Sequence, residues 1–438
     1  MPDLIGQTLG QHRIVEKIGA GGMATVYQAQ PDRDATLARS PPAAKSTFPW
    51  PWLAGCGVLT AVVILCLAMF VIGWMSRDRF AVVQTPTHTP HPPTPTPSPT
   101  PDSRRIAFTS NRDDNSEIYL INADGSELTN LTNNPADDQQ PNWSPDGKRI
   151  AFSSDRDGNQ EIYVINADGS EVTRLTNNLA PDYYPLWSPD GQLILFETVD
   201  EDTNGDGSLD YWDDAGEIYV INVDGTGQVN LSNHPADDQQ PDWSPDGKQI
   251  TFFSDRDGNW EIYVMNADGS SQANLTNYSN LDQDPVWSPD GTRIAFSRFI
   301  TLDNVGWEIH TMNPAGSGLT RLTDHPDDSL APVWSPDSQH IAFRVGRGGK
   351  PEIYVVNTDG SEQINLTNNP AADWNPAWSP DGTQLTFYST RDDPDPENCG
   401  RDGNPECNSE IYVVSADGSD LTRLTNNPAR DRNPKWSP

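Results

Sequence analysis

The densest chemistry in the chain lies between Asp202 and Asp213. Counting Asp202 as position 1, side-chain oxygens fall at positions 1, 3, 5, 9 and 12, as Asp202, Asn204, Asp206, Asp210 and Asp213. Ser208, at position 7, can add its backbone carbonyl. Calcium takes about six to eight hard oxygens at roughly 2.3–2.6 Å, and this spacing wraps such a set around one point. Gly207 permits the sharp turn that the wrapping needs, and Leu209 is apolar. Position 12 is Asp rather than Glu, which shortens its reach toward the ion. The expectation is one Ca2+; another divalent cation, or an acidic loop with no ion, remains open. A second excursion, 392–408, holds Cys399 and Cys407. They could close a short loop as a disulfide or stay as thiols; two Cys without a nearby His do not make a usual zinc site.

No arrangement for covalent or acid–base catalysis accompanies these groups. The seven His are scattered, and no Gly-x-Ser-x-Gly nucleophile turn occurs. The expectation is a non-enzyme.

Both insertions interrupt a regular array. Trp-Ser-Pro occurs at Trp143, Trp187, Trp243, Trp287, Trp334, Trp378 and Trp436, with spacings of 44, 56, 44, 47, 44 and 58 residues. One unit copied with two loop insertions gives that pattern. In the unit from Asn142, turns at Pro145-Asp146-Gly147, Asp155-Arg156-Asp157-Gly158 and Ala167-Asp168-Gly169 separate β-prone segments at Arg149–Ser153, Glu161–Ile165 and Val172–Thr176. With a short strand at the Trp, each unit of about 44 residues carries four strands, the size of a propeller blade. The array opens on a second strand, Arg105–Phe108, and closes on a first strand at Trp436. The last segment can therefore complete the first blade.

The Trp-Ser-Pro-Asp-Gly turn, the Ile-Ala-Phe strand and the Glu-Ile-Tyr-Val strand resemble the TolB-like propellers built from PD40 repeats. The resemblance covers residues 103–438. It implies an all-β propeller of four-stranded blades, lettered A to D outward, and a place outside the cytoplasm. Many members of that family have six blades. Here the count of repeats predicts seven, six contiguous and one composite. The Asp202 loop resembles an EF-hand-type calcium loop, although helices are not expected to flank it in a propeller.

The first hundred residues are of another kind. Within 52–75 the run Trp52–Trp74 is almost wholly apolar, and its 23 residues, helical at about 1.5 Å each, cross a bilayer core. It predicts a single transmembrane helix. The basic residues flanking it barely set an orientation. The family resemblance and the local cysteine pair favour a cytoplasmic amino end and an extracytoplasmic propeller on a bacterial cytoplasmic membrane. A juxtamembrane segment, 31–51, precedes the span. After it, 76–102 reads as a stalk, with eight prolines in the seventeen residues 85–101. Residues 1–30 contain Ile18-Gly19-Ala20-Gly21-Gly22-Met23-Ala24-Thr25-Val26-Tyr27, which resembles the glycine-rich loop of bacterial Hanks-type Ser/Thr kinases, with matches at Gly19, Gly21 and Val26. That loop would cover ATP phosphates. The chain has no His-Arg-Asp, no Asp-Phe-Gly and no Val-Ala-Ile-Lys, so no ATP turnover is expected. The segment reads as the remnant of a receptor kinase without its catalytic body.

The formal charge is −35. Residues 1–101 hold seven basic and five acidic side chains, +2, which leaves about −37 for the propeller. Such a field repels phosphate backbones and argues against nucleic acid as partner. Most of the Asp residues are expected to serve turns. Antiparallel blades put the A–B and C–D turns on one face and the B–C and D–A loops on the other. The first face is nearly constant; the second carries the variation and both insertions. An Asp is read before the strand-A proline in all seven units, at Asp138, Asp182, Asp238, Asp282, Asp328, Asp373 and Asp431, with variable neighbours. Tyr183, Tyr184 and Trp374, joined by Trp260 and Trp307 just before strand C, are the expected contacts for an envelope or extracellular protein, a peptide or a glycan. Ordinary edge packing is the alternative for these aromatics. Two functions fit: a membrane-anchored sensor or binding module, and a structural envelope scaffold.

Overall fold

The structure is a computed structural model. It describes residues 104–438 apart from 202–208, 210–213, 302–304, 347–349, 397–398 and 400–406. Nearer the start it describes the backbone strands Thr8–Leu9, His12–Ala20 and Thr25–Pro31. Residues 1–94 and 95–438 form separate compact units.

In the larger unit the repeats form seven four-stranded antiparallel sheets. Blade 2 shows the plan, with strands Asp138–Trp143 (A), Arg149–Ser154 (B), Glu161–Asn166 (C) and Thr173–Arg174 (D). Blades 3 to 7 follow in order, each with its strand A ending at the next repeat Trp. Blade 1 is composite. Its strand A, Asp431–Trp436, pairs with strand B, Arg105–Ser110, in the register Asp431↔Ser110 and Trp436↔Ile106.

Strand B shows why the sequence runs Ile-Ala-Phe rather than alternating apolar and polar residues. Every blade is covered on both faces by its neighbours, so Ile150, Ala151 and Phe152 are all fully buried. The apolar layers therefore lie between blades. One joins Ala107, Ile118 and Leu120 of blade 1 to Trp143, Ile150 and Phe152 of blade 2. Another joins Ile106 and Phe108 to Ile411 and Val413 of blade 7 across Trp436, which seals the ring. The repeat Trp residues are core. Trp187 Nε1 donates to Asn142 O of the preceding blade at 3.1 Å, Trp143 Nε1 to Lys435 O and Trp436 Nε1 to Ala377 O, each at 3.1 Å.

The polar signature is a second set of inter-strand ties. Arg156 in the B–C turn makes two bonds to the buried Asp138 carboxylate, at 2.9 and 3.0 Å, and its guanidinium lies over Phe152 and Tyr163. Arg112–Asp431, Arg256–Asp238, Arg298–Asp282 and Arg391–Asp373 repeat the pair. Asp157 meets the Tyr163 hydroxyl, and Glu161 accepts from Thr176 Oγ1 at 2.6 Å and Asn178 N at 3.1 Å. On the other face Asp146 accepts from Ser144 Oγ at 2.7 Å, and Asp168 from Ser170 N at 3.0 Å. Much of the negative charge is thus turn and blade chemistry.

One part of the repeat reading needs correction. Six units have Asp at the start of strand A, but blade 6 has Ser329 there. Asp328 sits one residue earlier and accepts from Trp307 N at 3.1 Å, the role of Asp137 toward Ser116 N and of Asp237 toward Gly216 N. Register, not the presence of an acid near the proline, identifies the equivalent residue.

In the smaller unit, His12–Ala20 and Thr25–Pro31 pair antiparallel, with Gly19 opposite Val26. Gly21, the juxtamembrane segment 31–51 beyond Pro31, the span 52–75 and the stalk 76–102 lie outside the described residues. Among the described residues no helix is long and apolar enough to cross a membrane.

Candidate functional site

Seven A strands surround the propeller axis, and each carries the same backbone irregularity. Its pairing with strand B shifts register between the second and fifth residues, as between Gln139 and Asn142. The residue before the proline has positive φ: Gln140, Tyr184, Gln240, Asp284, Ala331, Asn375 and Asn433, between 48° and 57°. An L-residue before proline is disfavoured in α-type conformations, so these positions store strain. The bulge re-aims each strand at the tunnel mouth. Amides freed by it bind sideways to the neighbouring blade. Tyr184 N donates to Gln140 Oε1 at 2.8 Å, Gln240 N to Glu197 Oε1 at 2.9 Å, and Ala331 N to Asp284 Oδ2 at 3.1 Å. Asn375 Nδ2 donates to Asn433 Oδ1 at 2.6 Å.

Five of these residues, Gln140, Tyr184, Gln240, Asn375 and Asn433, line a cavity of about 460 Å³ with Asn142, Leu186, Glu197 and Lys435. A second ring lies deeper, at the residue before each repeat Trp: Asn142, Leu186, Asp242, Val286, Val333, Ala377 and Lys435. Lys435 also lines the opening among Trp334, Trp378 and Trp436 on the constant face, so it stands between the two ends. Asp242 accepts from Trp287 N at 2.7 Å and interacts with the charge of Lys435. Desolvation pushes the Asp242 carboxyl up to about 7, although the Trp287 amide holds it down. Desolvation lowers Lys435, and Asp242 partly opposes this. Lys435 is exposed where the two cavities meet, while surrounding protein weakens its hydration.

The aromatics singled out from the sequence divide. Tyr184 lines the cavity, with Tyr183 at 6.4 Å between ring centroids. Trp374 precedes Asn375 of the cavity wall, and its ring lies under Arg344 at 4.6 Å. Trp260 packs edge-on against Phe253 at 4.7 Å and Trp307 against Phe299 at 5.4 Å; both are half-buried and outside the cavity lining. Lys435, Asp242 and Glu197 join the aromatics at the axis. For Asp242 and Lys435 the signal is positional, because in strand A each stands just before the Trp; Glu197 lies on strand B opposite Tyr183 and carries no such mark.

The candidate calcium ligands Asp202, Asn204, Asp206, Ser208, Asp210 and Asp213 lie outside the described residues. Their flanks are strands, Leu193–Glu201 and Ala215–Asn222, with Glu201 opposite Ala215, so the loop is a B–C excursion of blade 3. Cys399 and Cys407 form a disulfide with Cα atoms 5.6 Å apart. Asp393 lies beside them, but the sulfurs are bonded to one another and so are poor metal ligands.

The fold and its axial tunnel define a seven-bladed β-propeller. The TolB beta propeller domain model, PD40, matches residues 76–210, 208–329 and 320–396. The chain belongs to that family. No curated protein matches it. Among solved structures, TolB from Acinetobacter baumannii is 22% identical over 63% of this chain and 66% of its own, just under two thirds, with a TM-score of 0.46. Oligogalacturonate lyase from Vibrio parahaemolyticus is 14% identical over 74% of this chain and 85% of its own, with a TM-score of 0.52. A puromycin-hydrolyzing peptidase from Mycobacterium tuberculosis is 15% identical over 75% of this chain and 55% of its own, with a TM-score of 0.54. At these identities the likeness is one of fold.

Proposed function

We propose that the propeller is a non-catalytic protein-binding module, carried outside a bacterial cytoplasmic membrane by the 52–75 span and the 76–102 stalk. The observation that carries this reading is the contrast between its faces. The Ser-Pro-Asp-Gly and Asp-Gly-Ser turns repeat almost unchanged, whereas the ring Gln140, Tyr184, Gln240, Asp284, Ala331, Asn375, Asn433 changes at nearly every blade on one strained backbone. A rigid scaffold that varies only at one mouth suits recognition. In this reading the amino-terminal glycine-rich segment is a kinase remnant with no ATP turnover.

The test is photo-crosslinking from the mouth. A benzoylphenylalanine at position 184 is expected to trap a discrete envelope or extracellular protein in cells, and one at Thr292 on the constant face is not. Equal capture from both faces, or none, removes the reading. If capture from position 184 instead runs as a ladder of assembly subunits, the scaffold reading is favoured.

The same face carries the 202–213 loop, for which we propose one Ca2+. Titration calorimetry should show one saturable site, abolished by Asp202→Asn with Asp206→Asn. Heat identical to the buffer blank would remove the ion from the proposal.

A further inference from the structure

We propose that the sector of the mouth made by blades 6, 7 and 1 binds an acidic, extended segment of a protein partner. This rests on the protein-binding reading and names the chemistry of the partner.

The second residue of each strand A pairs with strand B beside the bulge, and two of the residues so paired, Glu197 and Gln239, line the cavity. The pairs are Gln139↔Ser153, Tyr183↔Glu197, Gln239↔Phe253, Gln283↔Ser297, Leu330↔Arg344, Trp374↔Tyr388 and Arg432↔Thr109. The cations at these positions are Arg344 and Arg432, and both belong to the sector of blades 6, 7 and 1. They flank Tyr388, whose hydroxyl feels both charges. Arg430, two residues before Arg432, extends the arc; burial and the charge of Arg432 both lower its affinity for a proton. Two guanidiniums are thus held close enough to repel. Arg432 also has a buried Nε with no hydrogen-bond acceptor. Its neighbour Asn433 reaches the tunnel cavity, which Lys435 and Glu197 also line.

In a domain of about −37, Arg430 and Arg432 placed side by side form a local exception. In five blades an arginine meets the buried strand-A acid, as Arg156 meets Asp138. An unmet guanidinium nitrogen and a repelling pair cost stability in the free protein. A carboxylate bound beside the two guanidiniums offsets their repulsion with charge-assisted bonds.

Three observations select a short acidic peptide. A long polyanion such as nucleic acid would extend into the acidic remainder of the domain. A sugar ring would need an aromatic face, and Arg344 covers one face of Trp374. A few carboxylates on an extended backbone span the arc and also meet the polar side chains Asn375 and Asn433.

The full chain in detergent micelles is titrated with fluorescein-labelled Gly-Asp-Glu-Asp-Glu-Gly, and anisotropy is read at low salt. Saturable binding is expected, with Gly-Asn-Gln-Asn-Gln-Gly showing none. Arg430→Gln and Arg432→Gln are each expected to weaken it about tenfold, and 0.5 M NaCl to abolish it. Thermal melts check that the variants are folded; Arg430→Gln, in a loop, serves if Arg432→Gln is not. No saturable binding, binding unchanged in a folded variant, or equal binding of the neutral peptide overturns the inference. So does tighter binding of a galacturonic-acid oligosaccharide at the same residues. If the peptide fails while position 184 still crosslinks a protein partner, only this inference falls and the protein-binding reading stands.

Discussion

At the residue scale, the exceptions to the repeat say most about what each conserved position does. Five strand-A acids meet an arginine. Asp182, fully buried in blade 3, has instead Thr198 Oγ1 at 2.8 Å and Asn178 Nδ2 at 3.0 Å. Desolvation pushes its carboxyl up to about 7, with these hydrogen bonds pulling the other way. The sign follows from linkage. A folded-state value above the unfolded one, about 3.9, means the folded protein prefers the protonated acid. That contribution is complete below about pH 4 and is lost as pH rises toward 7. Asp182→Asn, neutral at every pH, should therefore gain stability relative to wild type between pH 4 and pH 8 in urea unfolding. A difference that stays constant with pH would show that Asp182 is ionised in the fold.

At the element scale, blades stack through turns whose backbones fit closely. Gly316, in the C–D turn of blade 5, has φ of 75°, and a Cβ there would stand 2.7 Å from Leu275 O of blade 4. Gly247, in the A–B turn of blade 4, has a similar φ of 68°, but its nearest contact would be Pro189 Cδ at 3.8 Å. Both alanine variants bear the backbone cost of positive φ, about 1 kcal/mol. Gly316→Ala must also push two blades apart. It should lose about 1–3 kcal/mol more than Gly247→Ala in denaturant unfolding. Equal losses would mean that the inter-blade spacing yields freely.

At the scale of the whole molecule, stability depends on closure. Residues 431–436 supply strand A of blade 1, Trp436 is buried in the layer between blades 7 and 1, and Trp143 Nε1 donates to Lys435 O from blade 2. Deleting 431–438 leaves an unpaired strand edge at Arg105–Ser110 and an uncovered apolar layer. The truncated chain should lose its single cooperative unfolding transition and be cut rapidly by protease near blades 1 and 7. A truncated chain that melts in one transition at the wild-type temperature would show that the ring does not need its clasp.

The repeat made the blades legible from the sequence. Turn residues, strand propensity and the period are local properties, so the seven Trp-Ser-Pro units and the unmatched ends gave strand count, blade count and the composite closure. Register is not local. Asp328 reads as the strand-A acid until pairing shows that Ser329 holds that place. Nor could spacing show which side chains share the axis, because seven strands far apart in the chain converge there. Tyr184 enters the mouth while Trp260 and Trp307 pack aside on Phe253 and Phe299, and Asp242 and Lys435 meet although nearly two hundred residues separate them. Sequence determined the unit and its number; only closing the ring decided which variable residues face one another, since that depends on strand direction and bulge geometry at the axis rather than on any neighbour in the chain.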